Sequence, residues 1–112
     1  MREEYPVYVK WRYITAYMLD ICANYPKSLR FNLADRLTNT TLDVLERIIE
    51  AIYTRQRRSI LVEANLGLEK IRALLHISVE RRCISIRQYE HISGEIQEAG
   101  KMIGGWLKTC GE

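Results

Sequence analysis

Arginine is the residue type in this chain whose chemistry is most distinctive. Twelve of the 17 lysines and arginines are arginine, and a planar guanidinium group pairs with phosphate or carboxylate through two parallel hydrogen bonds. Two groups stand close together in the sequence: Arg55, Arg57 and Arg58, and then Arg81, Arg82 and Arg87. The formal net charge is only +3, so the whole chain is not strongly basic. Phosphate binding is therefore predicted only where the fold gathers these arginines.

No other set of side chains has the spacing of a catalytic or metal site. His76 and His91 fall on different predicted helices, and no His, Cys, Asp and Glu residues recur at metal-ligand spacing. Di-iron helical bundles use Glu-x-x-His pairs, but no glutamate here has a histidine three residues after it. The serines lack a recognisable base or oxyanion partner. We therefore expect a protein that is not an enzyme and that uses no metal or cofactor.

Composition and length predict one domain over residues 1–112. Apolar residues make up 47% and charged residues 28%, as in ordinary globular proteins. Cys22, Cys83 and Cys110 are odd in number and far apart, which favours a reducing compartment over a disulfide framework. Met1–Glu4 is acidic where a signal peptide is basic and then apolar. No uncharged run approaches the roughly 20 residues that span a bilayer, so we expect a cytoplasmic protein without a membrane partner.

Apolar residues that recur at steps of three and four predict four helices. The predicted ranges are 6–24, 27–54, 59–81 and 86–108. Each predicted helix carries a stripe, a row of residues along one helix face that we expect to lie in the core. In chain order from the first helix to the fourth, the stripes are Trp11, Ile14, Met18, Ile21 and Tyr25; Leu33, Leu37, Val44, Ile48, Ala51 and Ile52; Leu61, Ala64, Leu68, Ile71, Leu75 and Ser78; and Tyr89, Ile92, Ile96, Ala99, Ile103 and Trp106. Pro6 suits a first helical turn, and Ser85 with Gln88 forms a capping box. Asn39, in a polar run within the second stripe, lies either at the stripe edge or in the core, where it would set the register.

Short connections between four helices favour an up-down-up-down antiparallel four-helix bundle. In that topology the cations collect at two ends of the bundle. The first pole contains Lys27, Arg30, Arg81, Arg82 and Arg87. The second pole contains Arg55, Arg57 and Arg58, with Lys10, Arg12 and Lys108 nearby. These cations either bind phosphate or are ordinary surface arginines, some of which balance the helix dipole at a C-terminus.

Glycines inside the last predicted helix require an explanation. Gly94, Gly100, Gly104 and Gly105 all lie there, although each glycine costs an exposed helix roughly 1 kcal/mol relative to alanine. A residue without a Cβ lets another backbone or a large ring lie against the helix. We therefore expect Gly100, Gly104, Gly105 and Trp106 to pack closely against another helix, within the chain or in a neighbouring subunit.

Five motifs follow one another along almost the whole chain. They are Tyr25-Pro26-Lys27-Ser28-x-Arg30-Phe31, Leu42-Asp43-x-Leu45-Glu46, Ala64-Asn65-x-x-Leu68-Glu69-Lys70-x-Arg72, Gln88-Tyr89-Glu90 and Gly100-Lys101-Met102-Ile103-Gly104-Gly105-Trp106-Leu107. In order and spacing they resemble the accessory variability determinant (Avd) proteins of diversity-generating retroelements. The Gly-Gly-Trp helix is the most specific part. Overlapping motifs occur in four-helix-bundle proteins encoded in intervening sequences of large-subunit ribosomal RNA genes, so these residues do not separate the two groups.

The resemblance implies more than the residue spacing does. It implies a four-helix bundle that assembles as a homopentameric ring with basic surfaces. It also implies binding to the reverse transcriptase of the same element and to template RNA and cDNA, in support of mutagenic retrohoming. Contacts to nucleic acid would be mostly to phosphates and independent of sequence. The alternatives are an interaction module of the ribosomal intervening-sequence type, without a polymerase partner, and a plain homodimeric helical scaffold.

Overall fold

Four helices make up most of residues 5–110, which are the residues that the computed structural model describes. Their bounds are Pro6–Cys22 for α1, residues 27–52 for α2, Arg58–Glu80 for α3 and Ile86–Lys108 for α4; α2 consists of Lys27–Leu29, Arg30–Ala34 and Asp35–Ile52 in succession. No strand occurs in this part of the chain. The prediction drawn from Met1–Glu4 concerns residues outside the described range. The helix bounds agree with the predicted ones to within two residues at every end.

Local signals in the sequence set the helix ends. Pro6 occupies the first turn of α1, as predicted. The capping box at the start of α4 is present in both directions. Ser85 Oγ accepts from the backbone N–H of Gln88 at 3.0 Å, and Gln88 Oε1 accepts from the backbone N–H of Ser85 at 2.9 Å. These reciprocal bonds satisfy two donors that a helix start otherwise leaves without partners.

The helices alternate in direction around the bundle. Across α1 and α4, Tyr5 lies against Trp106 with ring centroids 5.4 Å apart, and Tyr13 lies against His91 at 6.0 Å. Rising numbers on one helix therefore meet falling numbers on the other. The same holds for α3 and α4, where Arg58 Nη1 lies 3.5 Å from the Leu107 carbonyl oxygen and His76 lies against Tyr89. Since α2 packs between α1 and α3, the predicted four-helix bundle is confirmed.

The predicted stripes form the core of this bundle. Every stripe residue of α1 and α3 is buried, and so are most of those on α2 and α4. The indole Nε1 of Trp11, a fully buried residue, donates to the carbonyl oxygen of Thr41 at 2.9 Å and so ties α1 to α2. Asn39 is exposed, so a register-setting role in the core is wrong for it. Thr41 is the buried polar residue of that run, and its hydroxyl donates to the Leu37 carbonyl at 2.6 Å.

The start of α2 differs from the continuous α-helix that was predicted. Arg30–Ala34 forms a π-helical turn, which inserts one extra residue and changes the phase of the side chains. As a result Ala34 is buried, whereas the predicted stripe residue Leu33 is only partly buried. Phe31 points outward and is 78% exposed.

None of the helices within residues 5–110 combines the length and apolar character needed to cross a bilayer.

Candidate nucleic-acid interface

The first pole lies where the α1–α2 and α3–α4 connections meet. Leu29 and Arg36 near the start of α2 line one groove together with Arg81 at the end of α3. Lys27 begins α2, and Arg87 lies in the first turn of α4. These cations therefore lie at the same end of the bundle, as the topology predicted. Arg36, which also lines the groove, was not among the predicted site residues.

The five cations of the first pole are exposed. Ion pairs among residues 5–110 involve only Lys10, Arg47, Arg72 and His76 as cations, and none of these belongs to the first pole. The one hydrogen bond found for a side chain of the pole is a long one, from Arg30 Nη2 to the Tyr25 carbonyl at 3.5 Å. These charges are therefore available to a ligand.

Helix stabilisation does not explain two of these cations. Lys27 and Arg87 occupy first helical turns, where the positive end of the helix dipole favours an acid and disfavours a base. Neither helix has an acidic residue in its first turn. Arg81 caps the C-terminus of α3, so a dipole role does fit that residue. At the starts of α2 and α4, backbone N–H groups and cations together favour an anion.

Arg82 occupies a backbone position that usually belongs to glycine. Its φ is 60°, the only positive φ at a non-glycine residue within the described range. The turn around it closes α3, because Cys83 N–H donates to the Ser78 carbonyl at 2.9 Å and Arg82 N–H donates to the Val79 carbonyl at 3.1 Å. This is the Schellman arrangement, in which glycine avoids a steric cost. An arginine is present here despite that cost.

Unlike the cations of the first pole, two arginines of the second pole make contacts that connect the helices of the bundle. Arg57 Nε donates to the Thr54 carbonyl at 2.9 Å, and its guanidinium lies 5.4 Å from the centre of the Trp106 ring. Arg58 Nη1 lies within 3.5 Å of the Leu107 carbonyl. Both arginines therefore attach the start of α3 to the end of α4. Arg55, in the connection before α3, is exposed.

Two cations expected near the second pole have other contacts. Lys10 Nζ pairs with Glu98 at 2.9 Å and Glu95 at 3.0 Å, between α1 and α4. The hydrogen bonds to these carboxylates raise the pKa of Lys10, and the hydrogen bond from Lys10 lowers the pKa of Glu98. The Arg12 guanidinium lies 5.7 Å from the Tyr8 ring centre.

The glycine strip of α4 makes little contact within the chain. A Cβ at Gly100 would lie 3.5 Å from Leu68 Cδ2, which is an ordinary packing distance. At Gly104 and Gly105 a Cβ would meet no atom of the described residues within 4 Å. Trp106 is partly buried between Tyr5 and the Arg57 side chain. Within residues 5–110, Gly104 and Gly105 therefore make no close packing contact, and their packing against a neighbouring subunit stays a prediction.

The outer side of α3 carries a second apolar stripe. Val62, Leu66, Ala73 and Ile77 recur at helical spacing on the side away from the core. All four are exposed, Val62 to 50%, Leu66 to 55% and Ile77 to 45%. The same heptad spacing that marked the inner stripe would have revealed this one from the sequence.

Cys22 and Cys83 hold their protons more tightly than free thiols do, and the described residues form no metal cluster. Cys22 is buried, and burial raises the pKa of its thiol to about 12. Burial also raises the pKa of Cys83. Within residues 5–110 no three His, Cys, Asp or Glu residues are grouped as metal ligands. What the arrangement offers is binding through cations and exposed apolar side chains.

Residues 7–110 match the protein family described as bAvd-like. The chain belongs to the bAvd-like family. Both poles and the glycine strip lie inside the matched range, and the Avd resemblance drawn from the five motifs is confirmed. Comparison with individually curated proteins gave no match.

Proposed function

We propose that this bAvd-like protein is a non-catalytic accessory protein of a diversity-generating retroelement, acting in the cytoplasm. It binds the reverse transcriptase of the same element and its template RNA and cDNA, and thereby holds polymerase and template together for mutagenic retrohoming. The family match supports the accessory role. The observation that carries the nucleic-acid part is the first pole, five exposed cations without an ion pair in the described part of the chain.

The positions of these cations argue for a ligand with phosphate groups. Lys27 and Arg87 oppose the helix dipole, and Arg82 occupies a strained backbone conformation. Residues that destabilise their own fold persist when their side chains serve a function. A polyanion would offset the repulsion among the five cations, and phosphate contacts of this kind carry no sequence information.

Assembly into a ring, by the family resemblance a homopentamer, would multiply the first pole. A single chain has a net charge of only +3, whereas a ring repeats the pole once per subunit and can contact many phosphates of one strand. The outer stripe of α3 supports a subunit contact, because Leu66 and Val62 expose half or more of their surface. The open strip at Gly104 and Gly105 offers a second copy a close approach.

Binding to the reverse transcriptase and to RNA is tested first by co-purification. The tagged protein is expressed with the reverse transcriptase of its element and the template RNA, and both are measured in the eluate. Binding curves for a template RNA fragment are then recorded over a series of salt concentrations. We expect both partners to be retained and the affinity to fall steeply with salt. If the protein binds no template RNA, the nucleic-acid role is refuted. If the reverse transcriptase is missing from the eluate, the accessory role is refuted.

The assembly is tested by light scattering of the purified protein. We expect a mass several times the 13.2 kDa of one chain. Leu66→Glu should shift the mass toward the single chain, because it places a charge in an apolar contact. Glu69→Gln, an exposed change one turn further along α3, is the control. A wild-type mass near that of one chain at micromolar concentration would refute assembly.

A further inference from the structure

Three aromatic rings form a cluster on the surface between α1 and α4. Tyr13 and Tyr17 are one helical turn apart on α1, with ring centroids separated by 6.2 Å. His91 of α4 lies 6.0 Å from the Tyr13 ring and 5.0 Å from the Tyr17 ring. The Tyr13 hydroxyl and His91 Nε2 are 2.7 Å apart and share a hydrogen bond. The rings therefore hold one another in place.

The outer part of this cluster is not needed for the core. Tyr17 is partly buried and packs against the core, but Tyr13 is 46% exposed and His91 is exposed. Gly94, one turn after His91, has no atom of the described residues within 4 Å of a built Cβ. On that side of α4, no described residue near Gly94 therefore blocks a flat molecule from lying against the exposed rings.

The charges around the cluster differ at its two ends. Arg87 lies one turn before His91 on α4, about 6 Å along the helix axis, and is exposed without an ion pair in the described range. At the other end Lys10 is neutralised by Glu95 and Glu98. Asp20, one turn after Tyr17, is exposed and is the acid nearest in sequence on α1. The cluster thus adjoins the first pole at its Arg87 end.

We propose that Tyr13, Tyr17 and His91 form a stacking site for an unpaired nucleobase, with Arg87 contacting the neighbouring phosphate. The proposal rests on the proposed nucleic-acid role of the first pole and specifies the form of the ligand. Aromatic side chains beside a cationic track bind single strands, because every base has a face that can stack. In a duplex the bases are already stacked on one another, so the site favours single-stranded RNA or cDNA over a duplex.

The test compares a short mixed-sequence RNA with a blunt duplex of the same sequence. Tyr13→Leu should weaken single-strand binding about tenfold and leave duplex binding and the salt slope unchanged, because it removes no phosphate contact. Tyr13→Phe keeps the ring and should bind nearly as wild type does. Tyr53→Leu is the matched control, since Tyr53 is 59% exposed and has no ring partner within the described residues. Circular dichroism verifies that each variant is folded, and His91→Leu repeats the test from α4.

The outcomes separate this proposal from the one on which it rests. If wild type binds neither oligonucleotide, the nucleic-acid role fails and the stacking site fails with it. If neutralising the first pole abolishes RNA binding while Tyr13→Leu and His91→Leu leave the ratio of single-strand to duplex affinity unchanged, only the stacking site is refuted. Weaker retention of the reverse transcriptase by Tyr13→Leu, with unchanged RNA affinity, would also refute it and would assign the cluster to a protein contact.

Discussion

Gly67 on α3 lies so close to Val44 on α2 that no side chain fits between them. A Cβ built at residue 67 would lie 2.5 Å from Val44 Cγ2, and both residues are buried. A close approach of two helices is the role that the sequence pattern assigned to the glycines of α4. In this bundle, α2 and α3 make that approach instead. The contact leads directly to a stability prediction.

Gly67→Ala should lower the free energy of unfolding by about 1 kcal/mol or more. The steric cost of overpacking, about 1–3 kcal/mol, exceeds the gain of about 1 kcal/mol in helix propensity. Denaturant unfolding measures the change. The double variant Gly67→Ala with Val44→Ala should lose less stability than the sum of the two single losses, because the second change removes the clashing methyl group.

Gly104→Ala is the matched control for that prediction. No atom of residues 5–110 lies within 4 Å of a Cβ at that position, so the folded chain should gain up to about 1 kcal/mol from helix propensity. If alanine changes the free energy of unfolding equally at Gly67 and Gly104, the close contact between Gly67 and Val44 is contradicted. In the assembled protein, a mass reduced by Gly104→Leu would show that a neighbouring subunit covers the strip.

Arg82→Gly should raise stability and weaken RNA binding at the same time. Glycine adopts the positive φ of this position without strain, and the expected gain is up to about 1 kcal/mol. Loss of one phosphate contact should reduce the salt slope of RNA binding by about 0.7–0.9. Arg82→Lys keeps the charge and should keep the affinity without the gain in stability. RNA binding by Arg82→Gly that equals wild type would show that this side chain contacts no phosphate.

Neutralising the first pole should affect binding but not folding. In the triple variant Lys27→Gln, Arg81→Gln and Arg87→Gln, the salt slope for single-stranded RNA should fall by up to about 2. Thermal unfolding should stay unchanged or shift upward, because two of these cations oppose the helix dipole. An unchanged slope in the folded variant would exclude the first pole as the binding surface.

Neutralising the second pole, in contrast to the first, should lower the stability of the fold. Arg55→Gln, Arg57→Gln and Arg58→Gln together should lower the free energy of unfolding by about 1–2 kcal/mol. The reason is that Arg57 loses its contact with the Trp106 ring and Arg58 its contact with the Leu107 carbonyl. If the triple variant has the same free energy of unfolding as wild type, these contacts do not stabilise the bundle.

Lys10→Met should destabilise the protein in a pH-dependent way. The lowered pKa of Glu98 adds stability above the unfolded pKa, and this is lost as the pH falls through the folded pKa. The raised pKa of Lys10 adds stability below the unfolded pKa, and this is lost as the pH rises through the folded pKa. The difference between wild type and Lys10→Met should therefore be largest between about pH 5 and pH 10.

Denaturant unfolding at about pH 7 and about pH 3 measures that difference. It should shrink at the lower pH, because the stability that the lowered pKa of Glu98 provides is lost as the pH falls. Lys70→Met removes a lysine that has no ion pair in the described range and serves as the control. A difference that stays the same at both pH values would show that the ion pair contributes nothing.

The sequence by itself determined the helices, the buried stripes and the antiparallel bundle. These features depend on local rules, since a period of three and four residues, Pro6 in a first turn and the Ser85–Gln88 capping box act within a few residues. Leu33, Tyr89 and Trp106 are the predicted stripe residues that are only partly buried, and at Leu33 the π turn changed the phase by one residue. Short connections then left few ways to arrange four amphipathic helices.

The tertiary structure alone decided which residues the surface makes available. Glycines in α3 and α4 look alike in sequence, but only the distance between α2 and α3 makes Gly67 the close contact. Similarly, Arg57 and Arg87 differ because one lies over the Trp106 ring and the other lies at an exposed helix start. Such differences depend on the axial register and spacing of neighbouring helices, which side chains distant in sequence set together and no local pattern encodes.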